Sequence, residues 1–401
     1  MTAFSRNLAG RAFRAPVALI HRLRRFLTHQ KQKENLAAPK IDQSRLDFLR
    51  GFAAVYVVVN HTRGAFYAGG ERILAGPHGP FEVAMVALLQ VTALGAEAVI
   101  LFFVLSGFAM AHSVGRSRGA AGFYLRRLVR IWPPYIAATL FALLVGRLVG
   151  IDAVERHFWQ ILFYINPGQA LVPQFWSLPY EVFFYLLCPL ILSNRLAVQW
   201  TGFTAVVLTA LTVAGKGIVL NPFDGFLANF FGNELLLFAS GALTYHYFEL
   251  VPRLSGRLLA LSTSGLFLAA WAIKWKIGAS NLGANLAIIA LAVLAIRNLP
   301  DRIAAFRPLN WGFFSYSIYI FHYALLELEQ WLFRISFGYE PSDITSPFAW
   351  LLAVPPILLG AFILHHVTER PCNAIVARLR RNSTQPVSVA AVAASIDARP
   401  E

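Results

Sequence analysis

Apolar segments, each close to the length needed to cross a bilayer, constrain the fold more than any other feature of this sequence. A helix needs about 20 consecutive apolar residues to span the hydrocarbon core. Hydrophobic residues make up 57% of the 401-residue chain and charged residues only 14%, which is unusual for a soluble globular protein. We therefore predict an all-α integral membrane protein, a bundle of about ten transmembrane helices. The segments lie near residues 46–62, 93–113, 132–150, 175–194, 198–214, 226–248, 257–276, 282–298, 312–335 and 347–367.

The basic residues predict how these segments are oriented. Loops on the N-terminal side of the bundle carry more arginines than loops on the other side, and Arg127, Arg130 and Arg370 are among them. The positive-inside rule then places both termini in the cytoplasm. We expect a multi-pass protein of the cell inner (plasma) membrane, with the lipid bilayer as its partner. The net charge of +15 follows largely from this topology, so a nucleic-acid partner is not expected.

The chain divides into three regions. Residues 1–44 predict a basic cytoplasmic arm, and they lack the apolar h-region of a signal peptide. Residues 45–373 contain the transmembrane domain, and residues 374–401 predict a disordered cytoplasmic tail. The two cysteines, Cys188 and Cys372, provide neither a disulfide framework nor a thiolate metal site, so no metal is expected.

Arg50 and His61 form the most informative polar pair within an apolar segment. They bracket the run LRGFAAVYVVVNH. On a helix, eleven residues are close to three full turns, so both side chains leave one face about 16 Å apart along the axis. Ionisable residues are costly inside a membrane, and a functional role is therefore the first hypothesis for this pair.

Two functional classes fit such buried charges. An enzyme could use the imidazole of His61 as a base near neutral pH. Alternatively, a secondary transporter could pass protons through His61 and Glu181. The two halves of the sequence show no internal repeat and no matched pair of interrupted helices, features that many transporters have. An enzyme is therefore favoured over a transporter.

Six strings along the chain carry a family resemblance. In this order and at these spacings they closely resemble the membrane-bound acyltransferase family 3, bacterial O-acyltransferases of sugars and glycans, over about residues 45–373. The resemblance implies a ten-helix bundle that moves an acyl group, most often acetyl from cytoplasmic acetyl-CoA, to a hydroxyl of a glycan or lipid-linked saccharide. The strings are RLDFLRGFAAVYVVVNH, AVILFFVLSGFAMAH, FYLRRLVRIWPPY, FWSLPYEVFFYLLCPLI, YSIYIFHYAL and TERPCN.

The family motifs fall on particular residues of this chain. The arginine and histidine separated by ten residues are similar to Arg50 and His61, and the arginine pair separated by two residues is similar to Arg127 and Arg130. The tryptophan, serine, leucine and glutamate motif is similar to Trp176, Ser177, Leu178 and Glu181. Many members carry an acidic pair in that motif, whereas here a valine follows the glutamate.

The chemistry of the side chains suggests a role for each position. His61 is the predicted catalytic residue, either as general base on the acceptor hydroxyl or as the carrier of the acyl group. The guanidinium of Arg50 can hold the phosphates of CoA in a bidentate fork, and Arg127 and Arg130 either do the same or only reflect topology. Glu181 is predicted to orient His61, to bind the acceptor, or to form a structural ion pair.

Further residues are predicted to line the site. Asn60, Tyr180 and Tyr316 are candidate donors to the oxyanion of the tetrahedral intermediate. Trp176 is a candidate platform for a sugar ring, with Ser177 beside it. We expect Ser106 and Gly107 to serve close helix approach. The remaining candidates are Glu97 and His322, which either line the site or pack within the bundle.

Overall fold

A computed structural model gives the architecture of the chain. It describes residues 43–115, 119–165, 167–214, 224–277, 282–306, 310–344, 346 and 348–384. The regular elements among these residues are all helical, as the sequence predicts. The arm, apart from its last two residues, and the tail from residue 385 onward lie outside the described residues.

The longer helices follow the order of the apolar segments. They are α1 Gln43–Phe66, α2 Gly95–Gly115, α3 Ala120–Val149, α4 Leu178–Ile191, α5 Arg195–Val213, α6 Leu235–His246, α7 Gly256–Ile277, α8 Leu282–Asn298, α9 Ser315–Phe337, α10 Val354–Val367 and α11 Glu369–Thr384. Short helices and single turns lie between them: Gly70–Ala75, Pro80–Leu89, Gln90–Thr92, Ala153–Arg156, Phe158–Leu162, Pro173–Ser177, Asp224–Asn229, Phe230–Glu234, Phe248–Leu250, Asp301–Ala304, Gly312–Phe314, Pro341–Asp343 and Ala349–Ala353.

Among the described residues, six helices are long and apolar enough to cross a membrane, which confirms a multi-pass protein. The other four expected segments correspond to α1, α4, α8 and α9. These are helical, but they are not both long enough and apolar enough to count among the six. Two are short, with 14 residues in α4 and 17 in α8. The other two, α1 and α9, carry the ionisable residues of the bundle interior. The six are Pro80–Val114, Ala120–Val149, Arg195–Val213, Gly225–His246, Gly256–Trp275 and Ala349–Val367.

Two glycines bring α2 and α6 into close contact. A Cβ at Gly107 would overlap the carbonyl oxygen of Phe238, and a Cβ at Gly241 would overlap the carbonyl oxygen of Val104. Small residues let helix backbones approach this closely in membranes. The prediction of close approach is confirmed for Gly107, whereas the neighbouring Ser106 turns its hydroxyl toward Glu181.

The start of α1 is fixed against the loop that precedes α9. A Cβ at Gly312 would overlap the backbone of Asp47, and a Cβ at Gly51 would lie 2.7 Å from the nitrogen of Gly312. Arg45 adds an ion pair with Asp301, at 2.7 Å. These contacts hold the first turns of α1 in place, and Arg50 lies among them, next to Gly51.

The last helix, α11, docks on α9 through a buried carboxylate. Glu369 accepts hydrogen bonds from the Ser317 hydroxyl at 2.6 Å and from His365 Nδ1 at 3.1 Å. Burial opposes ionisation of Glu369, but these bonds and the charge of Arg130 outweigh it and lower its pKa. The helix ends at Thr384, beyond the boundary at residue 373 expected from the sequence, because its first turn is anchored in the bundle.

Candidate active site

A small cavity of about 80 Å³ opens among α1, α2, α3, α4 and α9. Its aromatic wall includes Phe102, Phe103, Tyr185, Tyr316 and Tyr319. Its polar lining contains five of the residues predicted for the site and Ser106. They are Arg50, Arg127, Arg130, Ser177 and Glu181.

The arginines make this cavity electropositive. Arg50 is mostly buried, and its closest carboxylate is Asp47, at 3.7 Å from Nη1. Arg127 donates a hydrogen bond from Nη2 to the Ser113 hydroxyl at 3.0 Å. Three guanidinium groups line the cavity, and Glu181 is the one carboxylate that lines it in the described part of the chain. Arginine clusters of this kind suit phosphate groups, which they bind through bidentate hydrogen bonds.

Glu181 lies with the arginines, in the cavity that Arg50 lines. Its Oε1 accepts hydrogen bonds from the Ser106 hydroxyl, at 3.0 Å, and from the Tyr185 hydroxyl. A carboxylate within a bundle needs such partners. The structure therefore gives Glu181 hydrogen-bond partners on α2 and on its own helix. Its predicted role, to orient His61, to bind the acceptor or to form a structural ion pair, stays a prediction.

His61 lies further along α1, against α9. Its ring centroid is 5.3 Å from that of His322 and 5.3 Å from that of Tyr323. His322 is 1% exposed, and its Nδ1 contacts the carbonyl oxygen of Tyr319 at 2.8 Å. This contact assigns the proton to Nδ1, so Nε2 is left as a hydrogen-bond acceptor. That Nε2 has no hydrogen-bond partner among the described residues.

Tyr319 connects the cavity to the histidines, and sequence reasoning missed it. Its hydroxyl donates to the carbonyl oxygen of Gln174 at 2.7 Å and lies 2.7 Å from the Ser177 hydroxyl. Its ring lines the cavity, and the ring centroid is 6.1 Å from that of His322. A signal was available in the string YSIYIFHYAL. Tyr319 and His322 are three positions apart in it, which places both side chains on one face of a helix.

Tyr316 also lines the cavity, but its hydroxyl donates to the carbonyl oxygen of Ile131 at 3.1 Å. Asn60 donates from Nδ2 to the carbonyl oxygen of Thr92 at 2.7 Å and so links α1 to the start of α2. Two of the three predicted oxyanion donors are thus engaged with backbone carbonyls in this structure. Glu97 forms an ion pair with Lys274 at 2.7 Å, away from the arginines of the cavity.

Trp176 and Tyr180 form an aromatic group at the start of α4. Trp176 is 41% exposed, and its ring meets Phe103 edge-on at 6.3 Å between centroids. Tyr180 stacks on Phe226 at 4.8 Å and accepts a long hydrogen bond from Asn229 at 3.4 Å. These two side chains lie outside the cavity lining.

Comparisons with known proteins agree with this arrangement. A family model described as an acyltransferase domain matches residues 43–366, the span from α1 to the end of α10. The chain is similar to the acyltransferase MdmB of Streptomyces mycarofaciens, with 25% identity over 373 residues that cover 84% of this chain and 93% of the relative.

A second relative is nodulation protein 10 of Rhizobium leguminosarum bv. viciae, with 25% identity over 312 residues, or 70% of this chain and 82% of the relative. No solved structure matches. The family match covers the arginines, His61, Glu181 and His322 alike and favours acyl transfer over transport. This chain therefore belongs to the acyltransferase 3 family of membrane acyltransferases, and it is an enzyme.

Proposed function

We propose that the enzyme transfers an acetyl group from cytoplasmic acetyl-CoA to a hydroxyl of a glycan or lipid-linked saccharide. The observation that carries this proposal is the cavity in which Arg50, Arg127 and Arg130 gather, because Arg50 lies on the helix that also presents His61. CoA carries phosphates at one end and the thioester at the other. An electropositive cavity and a base on one helix match those two ends.

The arginines would hold the donor at the cytoplasmic end of α1. Guanidinium forks bind phosphate oxygens with charge-assisted hydrogen bonds, each worth about 1.5–3 kcal/mol. Eleven residues separate Arg50 from His61, about 16 Å along the helix axis. The extended arm of CoA would span this distance, past Tyr319, so that the thioester reaches the histidines.

In the proposed reaction His61 acts as general base. It takes the proton from the acceptor hydroxyl while that oxygen attacks the thioester carbonyl carbon. The tetrahedral intermediate then collapses, the carbon–sulfur bond breaks, and the CoA thiolate receives the proton from His61. His322 would be a positioning residue, because its unpartnered Nε2 can accept a hydrogen bond from the protonated His61 ring.

An acyl-histidine pathway uses the same residues in two steps. His61 would first attack the thioester and carry the acetyl group, and the acceptor hydroxyl would then displace it. Rapid-quench mass spectrometry of the enzyme during turnover separates the two pathways. A peptide containing acetylated His61 supports the carrier, and an unmodified peptide throughout turnover supports direct transfer.

The topology is part of the proposal. Arg253 and Glu340 lie in loops that the positive-inside rule assigns to opposite sides, and both side chains are exposed. Single cysteines at these two positions can be tested with an impermeant maleimide after Cys188 and Cys372, both buried, are changed to alanine. We expect labelling of Glu340→Cys from outside intact cells and of Arg253→Cys only after the membrane is opened.

The activity is tested with radiolabelled acetyl-CoA. Membranes that carry the wild-type enzyme should transfer label to endogenous glycan, and membranes with His61→Ala should not. His366→Ala is the matched control, because His366 lies in α10 and contacts the Phe362 carbonyl of its own helix. Equal labelling by the wild type and His61→Ala would overturn the proposed role of His61. If the wild type transferred no label, the proposed reaction itself would be wrong.

A further inference from the structure

A second cavity lies beyond the opposite end of α1. It has a volume of about 390 Å³, within the range of about 300–1,000 Å³ that is usual for small-molecule sites. Tyr67 and Asp343 take part in its lining. Tyr67 directly follows α1, and Asp343 lies six residues after the end of α9. The remaining wall comes from the short helices between α1 and α2.

The two cavities differ in charge. Arg72, Glu82 and Asp343 are the charged residues that line the second cavity in the described part of the chain. The Arg72 guanidinium is paired with Asp343 at 2.6 Å, so its positive charge is compensated. The cavity is therefore neutral to negative, whereas the first cavity carries three arginines and Glu181. A polyanion such as CoA suits the first cavity, and a neutral ligand suits the second.

The walls of the second cavity combine aromatic faces with carboxylates. Tyr67 is 8% exposed, whereas Phe81 is 61% exposed and offers a ring to a ligand. Carboxylate oxygens of Asp343 and Glu82 can accept hydrogen bonds from hydroxyl groups. Glu82 is itself held in place by the backbone N–H of Gly79 at 2.8 Å. Ring faces for apolar C–H surfaces and acceptors for hydroxyls together suit a saccharide.

The second cavity is close to His61. Tyr67 follows His61 by six residues, about 9 Å of helix rise, so His61 lies between the two cavities along α1. Arg63 lies in the intervening turn, donates from Nη1 to the carbonyl oxygen of Leu89 at 3.2 Å, and keeps Nε without a hydrogen-bond partner among the described residues. A ligand in the second cavity therefore lies beyond His61 along α1, on the other side of it from Arg50.

We propose that the second cavity is the acceptor site, and that it binds a neutral saccharide whose hydroxyl is directed toward His61. This inference rests on the proposed function, because it places the acceptor of that reaction. Tyr67 and Phe81 would contact the faces of the sugar ring, and Asp343 and Glu82 would accept its hydroxyl hydrogens. An anionic saccharide would be repelled by the two carboxylates.

Binding can be measured directly on the full chain in lipid nanodiscs. The probes are neutral methyl glycosides of common hexoses and pentoses, and the matching uronic acids, each observed by saturation-transfer-difference NMR. We expect saturation transfer to at least one neutral glycoside and at least tenfold weaker transfer to its uronic acid. Phe81→Ala and Asp343→Asn should each weaken the binding at least tenfold.

Two neighbouring substitutions serve as matched controls. Val83 lies on the same short helix as Phe81 and is also exposed, and Glu71 precedes Arg72. Val83→Ala and Glu71→Gln should bind the glycoside as the wild type does. The Arg72–Asp343 pair is exposed, so Asp343→Asn should fold, since exposed ion pairs contribute about 0–1 kcal/mol. Unfolding temperatures of all variants check this.

The inference is overturned if the wild type binds no glycoside, if uronic acids bind equally well, or if Phe81→Ala and Asp343→Asn bind as the wild type does. The affinity for CoA, measured in the same nanodiscs, distinguishes a failure of the acceptor site from a failure of the proposed function. Normal CoA binding without saccharide binding would refute only the acceptor site. Saccharide binding without CoA binding would refute the proposed donor and leave the second cavity as a saccharide site.

Discussion

The two ends of the polar face of α1 differ in what surrounds them. Around Arg50 the structure gathers two further arginines and Glu181 in a cavity, whereas His61 contacts the rings of His322 and Tyr323. One end is built to attract an anion, and the other leaves a basic nitrogen of His322 without a partner among the described residues. In the proposed reaction, donor binding and proton transfer therefore belong to separate parts of one helix.

The largest effect is expected at the histidine end. His61→Ala should reduce kcat for acetyl transfer by about 100-fold or more, because general base catalysis contributes about 10²–10⁴-fold. Its affinity for CoA should stay within about twofold of the wild type. Steady-state transfer and CoA titration on the same preparation measure both quantities. If His61→Ala lost CoA affinity by the same factor as it lost rate, donor binding and proton transfer would share one site, which would contradict the comparison.

The arginine end should respond in the opposite way. Arg50→Ala should weaken CoA binding by about 10–100-fold, the equivalent of one charged hydrogen bond of about 1.5–3 kcal/mol, and it should leave kcat at saturating donor nearly unchanged. Arg126→Ala is the matched control, because Arg126 lies on α3 beside Arg127 but outside the cavity lining. Unchanged CoA affinity in Arg50→Ala would move the donor site elsewhere.

Two substitutions of His322 test which of its ring nitrogens matters for the reaction. Asparagine retains a donor near the position of Nδ1, and glutamine retains an acceptor near the position of Nε2. If the free Nε2 positions His61, His322→Gln should keep most of kcat and His322→Asn should lose about tenfold, roughly one hydrogen bond. If His322 only anchors its ring to the Tyr319 carbonyl, the order of the two variants reverses. The KM for acetyl-CoA should not change in either case.

Glu369 gives the smallest expected effect, on stability at the arginine end. Its lowered pKa means that the ionised form stabilises the fold above the ordinary glutamate pKa of about 4.3, and that this stabilisation is lost as the pH falls through the folded value. Glu369→Gln should cost about 1–3 kcal/mol at neutral pH. The difference from the wild type should shrink in acid, as followed by thermal unfolding in detergent. A difference that grows in acid would contradict this account.

Sequence reasoning succeeded where the signal was local. The helical spacing of Arg50 and His61 predicted their shared helix, and the family motifs predicted Arg127, Arg130, Ser177 and Glu181, which the structure gathers with Arg50. The helices around the site were harder to recognise as spans. Ionisable residues lower the hydropathy of α1 and α9. By contrast, the sequence clearly predicts a membrane span at Gly256–Trp275, of which only 11% is buried.

Long-range partners could not be read from the sequence. Glu97 and Lys274 form their ion pair across 177 residues, and Ser106 reaches Glu181 across 75. Spacing along one helix determines which residues share a face, but it says nothing about which face of another helix lies opposite. The sequence could not show that Ser106 and Tyr185 are hydrogen-bond partners of Glu181, because that depends on packing, and the role of Glu181 toward His61 stays a prediction.

The central claim is that donor binding and proton transfer lie at different ends of α1. Calorimetric titration of CoA into the wild type, Arg50→Ala and His61→Ala in nanodiscs tests it most directly. The account predicts that His61→Ala binds CoA as the wild type does, whereas Arg50→Ala binds at least tenfold more weakly. Wild-type affinity in Arg50→Ala, or equal loss of affinity in both variants, would contradict it.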